Sequence, residues 1–170
     1  MRGPSGFTIV EIIVVLLLMS ILAATVIGRS ITSSNLDLNS ATDKIRIQLH
    51  FAQSQAMKRA YAAYPVWGVK SLGTQYWVFQ GMNPDLPANE VRVPGGDYPG
   101  AGNRINEADI GAAVSDFTVF FDRIGKPYTA YTSYTNPNAN TPLANQMQIT
   151  VTGGTETRTI TITPETGLIR

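Results

Sequence analysis

Residues Phe7 to Ile27 constrain this chain more than any other feature. Of these 21 positions 17 are apolar, and the exceptions are Thr8, Glu11, Ser20 and Thr25. At ~1.5 Å of rise per residue, a helix of that length spans about 30 Å, the thickness of a bilayer core. Backbone groups in lipid must be satisfied within the segment, so the block predicts a transmembrane helix over 7–27. The β-branched run from Ile9 to Val15 does not oppose this, because context overrides weak propensity. A secretory signal peptide has a shorter apolar core of roughly 7–15 residues and a small-residue cleavage site behind it. Here Ala23-Ala24 is followed by further apolar residues. Arg2 lies before the block and Arg29 after it, so the positive-inside rule is nearly silent on orientation.

Glu11 is the anomaly in the block. A carboxylate at the centre of an apolar helix costs up to ~2.5–3.5 kcal/mol, and less near an end. Two readings follow: the side chain reaches the headgroup region, or it pairs with a positive charge inside the membrane.

The stretch Gly6-Phe7-Thr8-Ile9-Val10-Glu11, followed by the apolar run, resembles the class III signal of type IV prepilins and pseudopilins. The resemblance implies that residues 1–6 are a leader and that a membrane prepilin peptidase cuts between Gly6 and Phe7. Phe7 then becomes the N-methylated first residue. It also implies that Glu11 attracts the terminal amine, on Phe7, of a neighbouring subunit during assembly. The expected partners are the peptidase, other pilin or pseudopilin subunits, an inner-membrane assembly platform and the lipid bilayer. The expected location is a single pass through the bacterial inner membrane with the head in the periplasm, then a filament. The implied fold is pilin-like α+β, a long N-terminal hydrophobic helix packed on a C-terminal antiparallel β-sheet head.

Beyond Gly28, residues 30–43 are rich in Ser, Thr and Asn, which are poor in helix interiors. An apolar stripe then resumes at steps of three and four: Leu38, Ala41, Ile45, Leu49, Ala52, Ala56, Ala60 and Ala63. Pro65 disfavours helix at Tyr64. The pattern predicts one helix over 7–63, or two helices broken in the Ser/Thr-rich stretch, ahead of a β-rich head over 64–170. The stripe reads as packing against a sheet. His50 beside it reads as structural or exposed, and Lys58-Arg59 as a solvated helix end favoured by the C-terminal dipole.

In the head, Val66–Lys70 and Gln75–Gln80 flank a Ser-Leu-Gly-Thr turn and predict a hairpin. Met147–Thr152 and Thr157–Thr163 alternate around Gly153-Gly154 and predict another. Phe117–Phe121 is a strand ended by a turn over Asp122–Pro127. Val91–Val93 is a weaker strand, and Leu168-Ile169 a terminal one. The absence of long amphipathic helices between strands favours an antiparallel sheet. Two segments, 81–106 and 129–145, read as long loops, either variable surface or a partner surface in which Tyr131 and Tyr134 supply contact area.

Phe51–Arg59 followed by Val66-Trp67-Gly68-Val69, then Phe121–Pro127, then Ile160–Gly167, resemble GspH/FimT-type minor pseudopilins. Some FimT-like members bind DNA through a Gly-Arg-x-Arg motif. The matching place here reads Gly167-Leu168-Ile169-Arg170, with leucine in place of the first arginine.

Composition narrows the chemistry. The chain of 170 residues has no Cys and a single His, which excludes disulfides, thiolate zinc sites and chemistry needing several imidazoles. Thirteen basic against twelve acidic residues argue against a nucleic-acid partner. No phosphate loop, His-Glu-x-x-His or Gly-x-Ser-x-Gly is present, so neither catalytic residues nor a cofactor is expected. Asp85, Glu90, Asp97, Glu107 and Asp109 lie in or beside the first long loop but lack an EF-hand ladder, so no metal is expected. The expected role is structural, a minor pseudopilin or minor pilin. The alternatives are a tip subunit for DNA uptake or adhesion, and a signal-anchored periplasmic enzyme.

Overall fold

The computed structural model describes residues 8–58, 66–94, 98 and 102–170, with the backbone alone for 24–36. The chain divides into two compact units, Met1–Leu36 and Asp37–Arg170, taken here one at a time. Helix α1 (Ile9–Lys58) contributes to both.

In the first unit, every described side chain from Thr8 to Ala23 is exposed. Ser20 satisfies its hydroxyl within the helix by donating to the Leu17 carbonyl at 2.8 Å. An isolated apolar helix can therefore present an almost wholly hydrocarbon surface despite one serine.

In the second unit, the predicted stripe is the buried face of α1: Leu38, Ala41, Ile45, Leu49, Ala52 and Ala56 are all at most 1% exposed. Ala60 and Ala63 lie outside the described residues. Thr42, also buried, donates its hydroxyl to the Leu38 carbonyl at 2.7 Å, which removes the cost of burying it.

The strands follow in chain order. β1 (Trp67–Leu72) and β2 (Gln75–Gln80) form the predicted hairpin, closed at Leu72↔Gln75 by Gly73-Thr74. A 3-10 turn (Pro87–Asn89), β3 (Glu90–Val91) and β4 (Ile105–Asn106) follow. Then come the single-turn α2 (Glu107–Ile110), β5 (Ala113–Val114) and β6 (Phe117–Phe121). After β7 (Pro127–Ala130), a second 3-10 turn (Pro137–Ala139) and β8 (Thr141–Pro142), the hairpin of β9 (Met147–Gly153) and β10 (Glu156–Ile162) ends the fold.

Every strand pair is antiparallel. One sheet runs β3-β2-β1-β6-β7-β8, with β4 also on β2; a second runs β10-β9-β5. The architecture is α+β, an N-terminal helix and a C-terminal antiparallel head, with two sheets where the sequence suggested one. The expected strand Val91–Val93 is displaced to Glu90–Val91. Residues 168–169 form only an isolated bridge, Ile162↔Ile169. The segments read as loops hold β3, β4, β8 and the end of β7, strands too short to show an alternation.

Alternation along the central strands makes two cores. Trp67 and Val69, Tyr76 and Val78, and Val119 and Phe121 join the α1 stripe and the second sheet in the main core. The intervening Trp77, Phe79 and Phe120 point to the other face and form a second cluster with Val66, flanked by Tyr128, Tyr131 and Tyr134. Gly68 belongs to that second face. A Cβ there would collide with the Val119 carbonyl oxygen and the Phe79 ring, so glycine lets β1 and β6 pair beneath Phe79.

Candidate functional site

The apolar N-terminal segment and its single carboxylate are the first candidate. Helix α1 begins at Ile9, so Thr8 is its N-cap and Glu11 its third residue. The Thr8 hydroxyl accepts from the Glu11 N–H at 3.3 Å, and the Thr8 carbonyl accepts from the Glu11 N–H at 3.1 Å and the Ile12 N–H at 3.3 Å. Thr8-x-x-Glu11 thus has the spacing of a capping box. The sequence reading overlooked this, although the signal is a plain four-residue pattern ahead of an apolar run. The exposed Glu11 sits in the first turn, where the helix dipole favours negative charge. Gly6 and Phe7, the expected cleavage and methylation positions, lie outside the described residues.

Around Glu11 the surface is hydrocarbon. Ile9, Val10, Ile12, Ile13, Val14, Val15, Leu16 and the residues on to Leu22 are mostly half or more exposed. Among the described residues, no helix is long and apolar enough to cross a membrane. The described side chains cover 8–23, which as a helix is about 24 Å, while the apolar block of the sequence continues to Ile27.

In the head, two of the carboxylates considered for a cation are engaged by basic side chains. Asp85 accepts from the Lys70 ammonium at 2.6 and 2.8 Å, and Glu90 from the Arg104 guanidinium at 2.7 Å. Asp97 lies outside the described residues. Among the described residues, no group of three or more His, Asp or Glu side chains is placed to hold a metal ion. Glu107, the first residue of α2, is buried beneath Ser71 and Val114. Burial pushes its carboxyl above the ordinary 4.5, and the charge of Asp116 adds to that rise.

Described residues at both ends of the segment 81–106 pack against Trp77 of β2. The Trp77 indole N–H donates to the Pro84 carbonyl at 2.7 Å. The Arg104 guanidinium lies 4.0 Å from the centre of the Trp77 ring, and the Lys70 ammonium 5.7 Å. His50 and Lys58 are exposed, and Arg59 lies outside the described residues.

Three stretches far apart in sequence, 51–58, 121–127 and 160–167, meet at Gln53. Its side-chain amide donates to the Gly125 carbonyl at 3.1 Å and to the Gly167 carbonyl at 2.9 Å. Gly125 and Gly167 both adopt positive φ, +82° and +62°. A Cβ on Gly167 would run into the Gly125 carbonyl oxygen, so the approach requires glycine. Lys126 pairs with Glu165 across the same junction at 2.7 Å. Arg170 is exposed, its backbone exchanging two hydrogen bonds with Thr161.

Residues 1–27 match the family described as the prokaryotic N-terminal methylation motif. No curated protein and no solved structure matches the chain. The chain therefore carries the class III signal at its N-terminus, which supports a type IV pilin or pseudopilin precursor.

Proposed function

We propose that this chain is a structural subunit of a type IV pilus-like or type II secretion filament, made as a membrane-inserted precursor. The observation that carries this reading is an exposed apolar helix that begins at the methylation motif and contains one carboxylate at its third residue. Such a surface is unstable in water and needs lipid or other apolar helices around it. The precursor waits in the inner membrane with Gly6 on the cytoplasmic side and the head in the periplasm. Prepilin peptidase cuts after Gly6 and methylates the Phe7 amine. The helix then exchanges lipid contacts for the helices of neighbouring subunits on the assembly platform.

The carboxylate gives the exchange its register. Cleavage creates a cation on Phe7, four residues before Glu11 in the sequence. In a growing filament the Phe7 amine of one subunit meets Glu11 of another. An apolar environment strengthens that attraction and penalises any register that leaves Glu11 alone. The role is assembly, with no cofactor and no catalysis. The junction at Gln53, which joins three of the four stretches resembling GspH/FimT-type members, supports a minor pseudopilin or minor pilin of that kind. Leucine at position 168, where the DNA-binding members carry arginine, weighs against nucleic acid as a partner.

Mass spectrometry of the mature N-terminus tests the processing. The expected species begins with N-methylated Phe7; an intact Met1, or a terminus after Ala24, sinks the proposal. Glu11→Ala should still be cleaved but enter filaments poorly, and undiminished incorporation would refute the pairing role.

A further inference from the structure

Residues 105–116 tie the two sheets of the head together. β4, of two residues, pairs with β2 in the first sheet, and β5, also of two, pairs with β9 in the second. Between them α2 is a single turn of four residues. The Glu107 N–H anchors its start by donating to the Thr74 carbonyl at 2.9 Å. Past β5 the Asp116 carboxylate returns to the first sheet, where it accepts from the Gly73 N–H at 2.8 Å. The turn buries two side chains, Glu107 and Ile110, while Ala108 and Asp109 are exposed. An open cleft of about 650 Å³ adjoins it, with Thr74, Asn106, Asp109, Thr152 and Gly154 in its lining.

One of the two side chains that hold the turn down is therefore a carboxyl. Glu107 is 6% exposed, and its Oε1 is buried with no hydrogen-bond partner among the described residues. The groups that act on it come from the elements packed around it: the Ser71 hydroxyl of β1, the Val114 N–H of β5 and the Asp116 carboxylate that follows β5. The buried Tyr76 phenol of β2 also feels its charge. None of these groups is basic, and the other charged side chain of the turn is the acidic Asp109. The bond from Gly73 holds the Asp116 charge in place beside the clasp. Burial and that charge raise the Glu107 carboxyl, and the Val114 N–H and Ser71 hydroxyl offset only part of the rise.

The closed turn thus holds the protonated carboxyl best. Opening returns the carboxyl to water, where the ionised form is favoured. The closed state binds the proton more tightly, so a rise in pH moves the population toward the open one. Opening can stay local, because one turn and two short strands carry few contacts of their own. We propose that Glu107 makes α2 a pH-sensitive clasp between the two sheets, closed while the carboxyl keeps its proton and released when it ionises. Release breaks the bond from Glu107 to Thr74 and uncovers Ile110, while the ladders of β1 with β2 and of β9 with β10 persist. The clasp is independent of the assembly role, and its failure would leave that role untouched.

The test measures amide exchange by NMR in the full chain, held in dodecyl maltoside micelles, from pH 5 to 8. Each rate is divided into its unstructured-chain value at the same pH, so that base catalysis cancels. The reference is Val69, fully buried in β1 and paired on both sides. At pH 8 the Glu107 and Ala112 N–H groups should be at least about tenfold less protected than Val69, the mark of an opening short of global unfolding. Their protection should fall at least about threefold between pH 5 and 8. Glu107→Gln, which keeps the shape and loses the charge, should hold it level. The proposal is overturned if both protections stay level in the parent, if they match that of Val69 at pH 8, or if Glu107→Gln falls as steeply as the parent. The first two outcomes need the parent alone, so the test stands even if the variant does not fold.

Discussion

At Gln53 one amide group ties three distant stretches of chain together through two carbonyl acceptors. Gln53→Ala removes both bonds at a half-buried site and should cost about 1–3 kcal/mol, read as a lower denaturant midpoint. Gln53→Glu should cost more, since it turns a donor into an acceptor facing two carbonyl oxygens. Glu107 makes a different residue-scale statement. Its carboxyl titrates at a higher pH in the fold than its ordinary 4.5, so the folded state binds the proton more tightly than the unfolded one. The stability it contributes is complete below the unfolded value and is lost as pH rises through the folded one. Glu107→Gln should flatten this dependence. Melting temperatures measured from pH 4 to 8 should show the parent losing ground to the variant as pH rises, and parallel curves would contradict the assignment. The burial of Glu107 was not legible in the sequence, because it follows from where a single helical turn lands against β1 and β5.

At the scale of elements, α1 and the two long hairpins were legible and the short strands were not. The helix announces itself through a stripe at steps of three and four, and the hairpins through alternation around glycine turns. β3, β4, β5 and β8 have two residues each, which is too few for any period, and their existence depends on neighbours such as β2 and β9. The start of α1 belongs to this scale too. Thr8→Ala removes the hydroxyl that accepts from the Glu11 N–H and should cost about 1 kcal/mol at the helix end. In detergent micelles, amide exchange at Glu11 should then accelerate about fivefold with exchange beyond Leu16 unchanged; uniform acceleration would show that the cap does not act locally.

For the whole molecule, the chain divides into two compact units, Met1–Leu36 and Asp37–Arg170. Both buried clusters lie within 37–170. A chain beginning at Asp37 should therefore fold by itself, giving a cooperative thermal transition and a monomeric elution without detergent. An aggregated or unfolded fragment would show that the head depends on residues before 37. The sequence by itself determined the apolar segment, its embedded Glu11, the methylation motif and the buried face of the helix, because these are local properties written in consecutive or periodic residues. Tertiary structure decided the two-sheet division, the meeting of residues 51–58, 121–127 and 160–167 at Gln53, and the burial of Glu107 where α2 links the sheets. Each of these joins residues tens of positions apart, through backbone hydrogen bonds and close packing that no local pattern encodes.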